Sequence, residues 1–180
     1  MSQRFRPTDA FVDESIRGQR YLMGCVLVEA RRLGPIRRAT SALVAEGKRI
    51  HFHQELDSTR RDTLQLFTAM RVKFVVVVCH RRRGVTEFAA RELCLQALVQ
   101  YLQEGSVSRL TIESRQDDSD DRRTILVARA AEPSLVFQHV AGLDEPLLWI
   151  ADALTWAVGS GGRWLAAAEP VMAEMIQIRP

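Results

Sequence analysis

Acids at three separate places in this chain carry the most chemical promise. Asp13 and Glu14 leave the apolar run Ala10-Phe11-Val12, Glu113 closes Leu110-Thr111-Ile112, and Asp152 sits among Leu147, Leu148, Trp149, Ile150, Ala151, Ala153 and Leu154. Extended alternation sends Asp13 and Ser15 to one face and Glu14 to the other, so one of the two acids points into any given site. In an all-apolar helix the Asp152 carboxylate is shielded, and an ionised acid there needs a cation or strong donors. An arginine salt bridge would meet that need structurally and a ligand would meet it functionally. Glu113 stands where open α/β sheets often meet a ligand crevice. Asp13, Glu113 and Asp152 together form the candidate active site, with Glu14 and Ser15 in support.

His51 and His53 alternate around Phe52, with Glu55 close behind. Imidazoles on one side of a short strand, beside a carboxylate, can bind metal or carry protons. His80 and His139 stand alone and take no role. The run Asp117, Asp118, Asp120, Asp121 lacks the central glycine and distal glutamate of an EF-hand and reads as a solvated loop and helix start. No GxxxxGK[ST], GxGxxG or GxSxG motif occurs, which ranks nucleotide-binding and serine-hydrolase chemistry low.

The elements that position these residues follow from pattern. Asp9–Ser15 and Tyr21–Glu29 read as an antiparallel hairpin. A helix is expected over Pro35–Glu46, a short strand over Arg49–His53, and a helix capped at Asp57-Ser58 with Leu64, Phe67 and Met70 on one face. The valine run in Lys73–His80 suits a central strand covered on both faces. Thr86 caps a helix running to Glu104, Gly105 ends it, and Arg109–Ser114 is the next strand, giving a β-helix-β crossover. Beyond the Gln116–Asp121 loop come a helix to Ala131, an extended Ser134–Val140, and a Pro146-initiated helix to about Val158. Gly159–Gly162 breaks that helix, and a final helix carries Trp164 to Ile178. The order predicts one α/β domain over residues 1–180, a mixed sheet flanked by helices, with 163–180 as a C-terminal helical appendage.

At 180 residues and 47 % hydrophobic content the chain can bury a sizeable core. Its apolar runs are too short to span a bilayer and its start lacks a signal-peptide pattern, so a soluble, cytoplasmic protein with no membrane partner is expected. Cys25, Cys79 and Cys94 show no metal-ligand spacing and read as buried, reduced thiols. The net charge is +3, with arginines clustered at 31–32, 37–38, 60–61, 81–83 and 122–123. Guanidinium groups offer bidentate donors to phosphate, and Arg81, Arg82, Arg83 and Arg115 are the candidate nucleic-acid contacts. Solvated surface charge is the alternative for any one cluster.

Taken in order, Phe11-Val12-Asp13-Glu14-Ser15, Tyr21-Leu22-Met23-Gly24, His51-Phe52 with Glu55, and Leu148-Trp149-Ile150-Ala151-Asp152 form a recognisable series. The chain resembles the bacterial domain of unknown function 3800 family, with its early DES, glycine-bearing second strand, His element and late LxxAD. The resemblance implies a ribonuclease-H-like fold and metal-dependent nuclease chemistry. Asp13, Glu14 and Ser15 match DES, His51 the His element, Glu113 the acidic strand end and Asp152 the LxxAD acid. In such a site carboxylates hold one or two Mg2+ or Mn2+ ions that activate water and offset charge on the scissile phosphate. A standard ribonuclease-H layout has an acid near the end of the strand that follows the first core helix; with Lys73–His80 as that strand, Cys79-His80 hold the place and Glu113 is expected one strand further along from Asp13. The leading expectation is a divalent-metal-dependent nuclease or phosphodiesterase acting on RNA or DNA. The alternatives are a non-catalytic nucleic-acid- or partner-binding module on the same fold, and homo-oligomerisation through the C-terminal helix.

Overall fold

Alternation organises the first hairpin. In the computed structural model, which describes residues 5–116 and 118–180, β1 (Asp9–Arg17) and β2 (Arg20–Val28) pair antiparallel in register across the two-residue turn Gly18-Gln19. Gly18 takes φ +58, the left-handed backbone such a turn requires. Helices α1 (Leu33–Ser41) and α2 (Asp57–Ala69) follow, then β3 (Lys73–His80), α3 (Glu87–Glu104), β4 (Arg109–Glu113), α4 (Asp118–Ala128), β5 (Val136–Val140), α5 (Pro146–Ser160), α6 (Gly162–Ala168) and β6 (Met172–Ile178). Asp117 of the acidic run lies outside the described residues. The Thr86 cap is in place, its hydroxyl accepting from the Ala89 amide at 3.1 Å.

The strands form one mixed sheet in the order β5-β4-β1-β2-β3-β6, with β2 alone antiparallel to its neighbours. Side chains alternate between its two faces. Phe11, Leu22, Phe74, Val76 and Val78 pack under α1, α2 and α5, whereas Val12, Met23, Cys25, Val75 and Val77 pack under α3. This double cover explains the consecutive valines of β3. Among the described residues no helix is long and apolar enough to cross a membrane.

Several expectations change, and α1 itself ends at Ser41 and not at Glu46. Arg49–His53 is not a strand but a loop containing a single 3-10 turn, Phe52–Gln54, anchored by the fully buried Phe52. Asp57 does not cap α2 but lies in its first turn, with Leu56 at the cap. The crossover from β3 through α3 passes over β2 and β1, so β4 pairs directly with β1 and Glu113 is not one strand removed from Asp13. The C-terminal helix ends at Ala168, and Met172–Ile178 is a sixth strand, parallel to β3. Pro170, which cannot continue a helix, marks the change. A register shift opposite Phe74/Val75 puts Met172 and Met175 on one side, a spacing of three that imitates a helix. Trp164, Leu165, Met172, Met175 and Ile176 all pack against the two cores, so the apolar surface assigned to an oligomer-forming helix is used within the chain.

Gly24 lies opposite Asp13 in the hairpin register, and α5 crosses directly above it. A Cβ at Gly24 would overlap the Thr155 hydroxyl and meet the Phe74 ring at 2.8 Å. Thr155 is three residues beyond Asp152 on α5, so the missing side chain sets how closely that helix brings its acid to β1. Gly24→Ala is expected to cost about 1–3 kcal/mol by overpacking in urea denaturation, and Thr155→Ala added to it should recover part of the loss. An unchanged midpoint for Gly24→Ala would show that the helix has room to retreat.

Candidate active site

The β1/β4 register runs to Val12↔Ile112, so Asp13 and Glu113 are the next residues on two neighbouring parallel strands. Adjacent strands lie roughly 4.8 Å apart, and both acids therefore emerge at the same carboxyl end of the sheet. α5 supplies Asp152 from above. A cavity of about 520 Å³ is lined by Asp13, Glu14, Arg49, His51, His53, Glu113, Ser114, Arg115, Gln116 and Asp152. Asp13, Glu113 and Asp152, read from three distant stretches of sequence, thus share one cavity.

Their surroundings differ. Asp13 accepts the Glu14 amide at 2.8 Å, and burial, then the charges of Asp152 and Glu113, push its carboxyl well above the ordinary range. Burial likewise raises Asp152, against the lowering effect of the Phe52 amide, which donates to its Oδ2 at 3.1 Å. No arginine ion pair reaches Asp152 among the described residues, so the salt-bridge alternative for this acid is not realised. Glu113 is the one of the three with a direct cation, Arg49, at 2.5 Å. Gly142 leaves room for that pair, since a side chain there would overlap both partners. Its carbonyl in turn accepts the Trp149 indole N–H at 2.6 Å.

Glu14 borders the cavity from the opposite face of β1, as alternation requires. It accepts the Tyr21 hydroxyl at 2.6 Å and pairs with Arg91 and Arg115. Arg91 also grips Asp121 through two bonds of 2.7 Å. His139 reaches Asp121 at 3.1 Å. Burial disfavours the Asp121 anion, but His139 and Arg91 outweigh it and hold the carboxyl below its usual range. Asp121 is thus a buried ion-pair anchor rather than part of a solvated loop. The signal was present in its spacing to Thr124 and Ile125, both buried on the inner side of α4.

Among the described residues, Asp118, Asp121 and His139 form the group whose metal-type donor atoms lie within 4.8 Å of one another. Arg91 already occupies both oxygens of Asp121 there. The three cavity acids are more widely spread, around open volume rather than closed on a point.

Other candidates divide. His51 and His53 line the cavity with ring centroids 6.4 Å apart, although on a loop and not a strand, and Arg115 lines it as well. Ser15, Glu55, Arg81, Arg82 and Arg83 do not line it. Arg81 instead binds the Gly18 carbonyl at 3.0 Å and pairs with Glu87. Arg49, Ser114 and Gln116 line the cavity in addition to the expected residues. Arg49 precedes His51 by two residues, and the same alternation that singled out the histidines marks it.

An acid whose carboxyl is raised on folding makes the folded state bind protons more tightly than the unfolded chain. Stability contributed by protonated Asp13 is therefore full below its unfolded value near 3.8 and lost as pH rises through its folded value. With a chelator present, Asp13→Asn should raise the melting temperature at pH 8, by about 3 °C for each roughly 1 kcal/mol of relieved repulsion in a chain of this size. The gain should shrink as pH falls towards 4. A lower melting temperature for Asp13→Asn at pH 8 would contradict the charge crowding.

No family model matches the chain, and no curated protein matches it, so the resemblance to the family of unknown function stands without that support. Solved structures do match. The ribonuclease H2 from Pyrococcus horikoshii OT3 gives a TM-score of 0.53 at 12 % identity, over 84 % of this chain and 72 % of that one. Bst-RNase HIII as its Q54A mutant gives 0.52 at 12 % identity, and Bst-RNase HIII in complex with Mn2+ gives 0.53 at 11 %. Both Bst-RNase HIII matches cover 86 % of this chain and 52 % of that protein, so the chain spans about half the length of the ribonuclease HIII. Likeness at this identity concerns architecture: the six-stranded mixed sheet with flanking helices is a ribonuclease-H-like fold.

Proposed function

We propose that the chain is a divalent-metal-dependent nuclease or phosphodiesterase acting on RNA or DNA, with Asp13, Glu113 and Asp152 as its metal-holding acids. One observation carries the reading: acids from β1, β4 and α5 line a single cavity, and two of them are pushed towards protonation by burial and neighbouring negative charge. Unbalanced carboxylates of this kind suit a hard divalent cation, and an all-oxygen donor set suits Mg2+ or Mn2+. A bound ion would supply charge neutralisation and water activation at a phosphate. That the fold is shared with ribonucleases, one of them solved with Mn2+, is consistent with this chemistry.

The chain's own residues do the rest. Asp152, held by the Phe52 amide, and Asp13, held by the Glu14 amide, keep fixed oxygens towards the cavity. Arg49 and Arg115 give the rim positive charge that draws in a phosphodiester and orients its oxygens. His51 and His53 are the proton carriers within reach of the cavity. Glu14, tied to Arg91 and Arg115, fixes the position of Arg115. Engagement of an ion by Glu113 requires its carboxylate to share or leave Arg49.

That last contact favours a second reading, a nucleic-acid-binding module without catalysis, in which Arg49 permanently neutralises Glu113. Cleavage separates the two. Purified protein should cut labelled RNA, DNA or hybrid only with Mg2+ or Mn2+ added. Asp13→Asn and Asp152→Asn should each lower the rate by well over 100-fold, beyond the 10–100-fold typical of losing an outer partner. Binding without cleavage on every substrate, or cleavage surviving both substitutions, would sink the enzymatic reading.

A further inference from the structure

Beyond the acid cavity, α5 continues into a second arrangement that the catalytic reading does not use. Trp156 lies one turn after Asp152 on α5 and stacks edge-on with Phe52 at 5.2 Å and Trp164 at 5.4 Å. Three guanidinium groups lie over these indoles: Arg17 and Arg60 over Trp156 at 5.4 and 4.5 Å, and Arg163 over Trp164 at 4.7 Å. Arg17 stands on β1 in the same alternation as Asp13 and Ser15, roughly 13 Å further along the strand. Its stem packs against Gly159, where an added Cβ would lie 3.0 Å away.

The three arginines are not equivalent. Arg60 spends its donors on the Phe52 carbonyl at 3.0 Å, the His53 carbonyl at 2.5 Å and Asp57 at 2.9 Å, so it fixes the histidine loop. Arg163 is largely exposed and shares Asp57, at 2.5 Å. Arg17 has no hydrogen-bond or ion-pair partner among the described residues, and its Nε is buried without one. Arg20 lies beside it, bound to the Gly159 carbonyl at 2.9 Å. Asp57 pairs with Arg60 and Arg163, whereas Arg17 and Arg20 have no carboxylate partner among the described residues.

We infer that this arginine-tryptophan face, running from the acid cavity across α5 to α6, is a track for the sugar-phosphate backbone of a nucleic-acid strand. It rests on the nucleic-acid part of the reading above and not on the cleavage step. Stacking on an indole fixes the guanidinium plane and leaves its N–H edges for phosphate oxygens. With Arg17 and Arg60 both placed over Trp156, the indole supports cations rather than bases, so recognition is of backbone and independent of sequence. Trp156 lies one turn beyond Asp152, and the fully buried Phe52 supports both from beneath, its amide donating to Asp152 and its ring packing on Trp156. A strand held on the face therefore leads directly to the acids.

The test measures binding in chelator, where cleavage is silent, by anisotropy of labelled oligothymidylate, oligouridylate and an RNA–DNA hybrid across a salt series. Removing one arginine that touches a phosphate lowers the slope of log affinity against log salt by about 1. Arg163→Gln, at an exposed site that leaves the fold intact, should weaken binding to all probes it engages and lower the slope by about 1. Arg17→Gln with Arg163→Gln should lower it by about 2. Wild-type binding with unchanged slopes in both variants overturns the inference and leaves the cleavage reading standing. Absence of binding to all three probes overturns the inference and the nucleic-acid reading together. Slopes that fall as stated in a protein that never cleaves support the track and remove the enzyme.

Discussion

The close approach of α5 to the β1–β2 hairpin is the constraint on which the site depends. At Gly24 the sheet has no side chain, and Thr155 fills the place one would take. That packing sets the height of a helix that is apolar on almost every side, and with it the position of Asp152 relative to Asp13. Bringing two carboxylates together under protein is unfavourable, and the apolar burial around them holds them there. Phe11, Leu22, Phe74 and Val76 below and Leu147, Ile150, Ala151 and Leu154 above are all closed to water. Crowded charge is kept in place by packing that does not depend on it.

Much of this arrangement was legible in the chain. β1, β2, β3 and the Thr86-capped α3 follow local rules of alternation and capping, and tertiary contacts reinforce those rules. Asp152 stood out because an acid inside an apolar helix demands explanation. Glu113 was placed at the right strand end but beside the wrong neighbour, since strand order is set by the crossover of α3 and not by any local pattern. The C-terminal strand was misread because a register irregularity against β3 gave it helix-like spacing. Asp121 is one aspartate among several in its run, and its buried partner Arg91 lies thirty residues away in sequence, beyond the reach of spacing arguments.

The polar residues around the cavity serve two separate demands. On the β5 side, Glu14, buried Arg91 and buried Asp121 form an ion-pair network that fixes one wall, with His139 and the exposed Arg115 at its edges. On the α5 side, Arg49 offsets Glu113, and among the described residues the Phe52 amide is the hydrogen-bond partner of Asp152. The imbalance is therefore local to Asp13, Asp152 and Glu113. A cation is the simplest species that restores neutrality there, whereas the Asp118, Asp121 and His139 group already has its cation in Arg91.

Anomalous scattering from crystals grown with Mn2+ would locate the ion and decide whether the three acids hold it. A peak is expected in the cavity, coordinated by Asp13 and Asp152, with the Glu113 carboxylate turned from Arg49 towards it. A peak at Asp118, Asp121 and His139 with the cavity empty, or none at either place, would contradict that expectation.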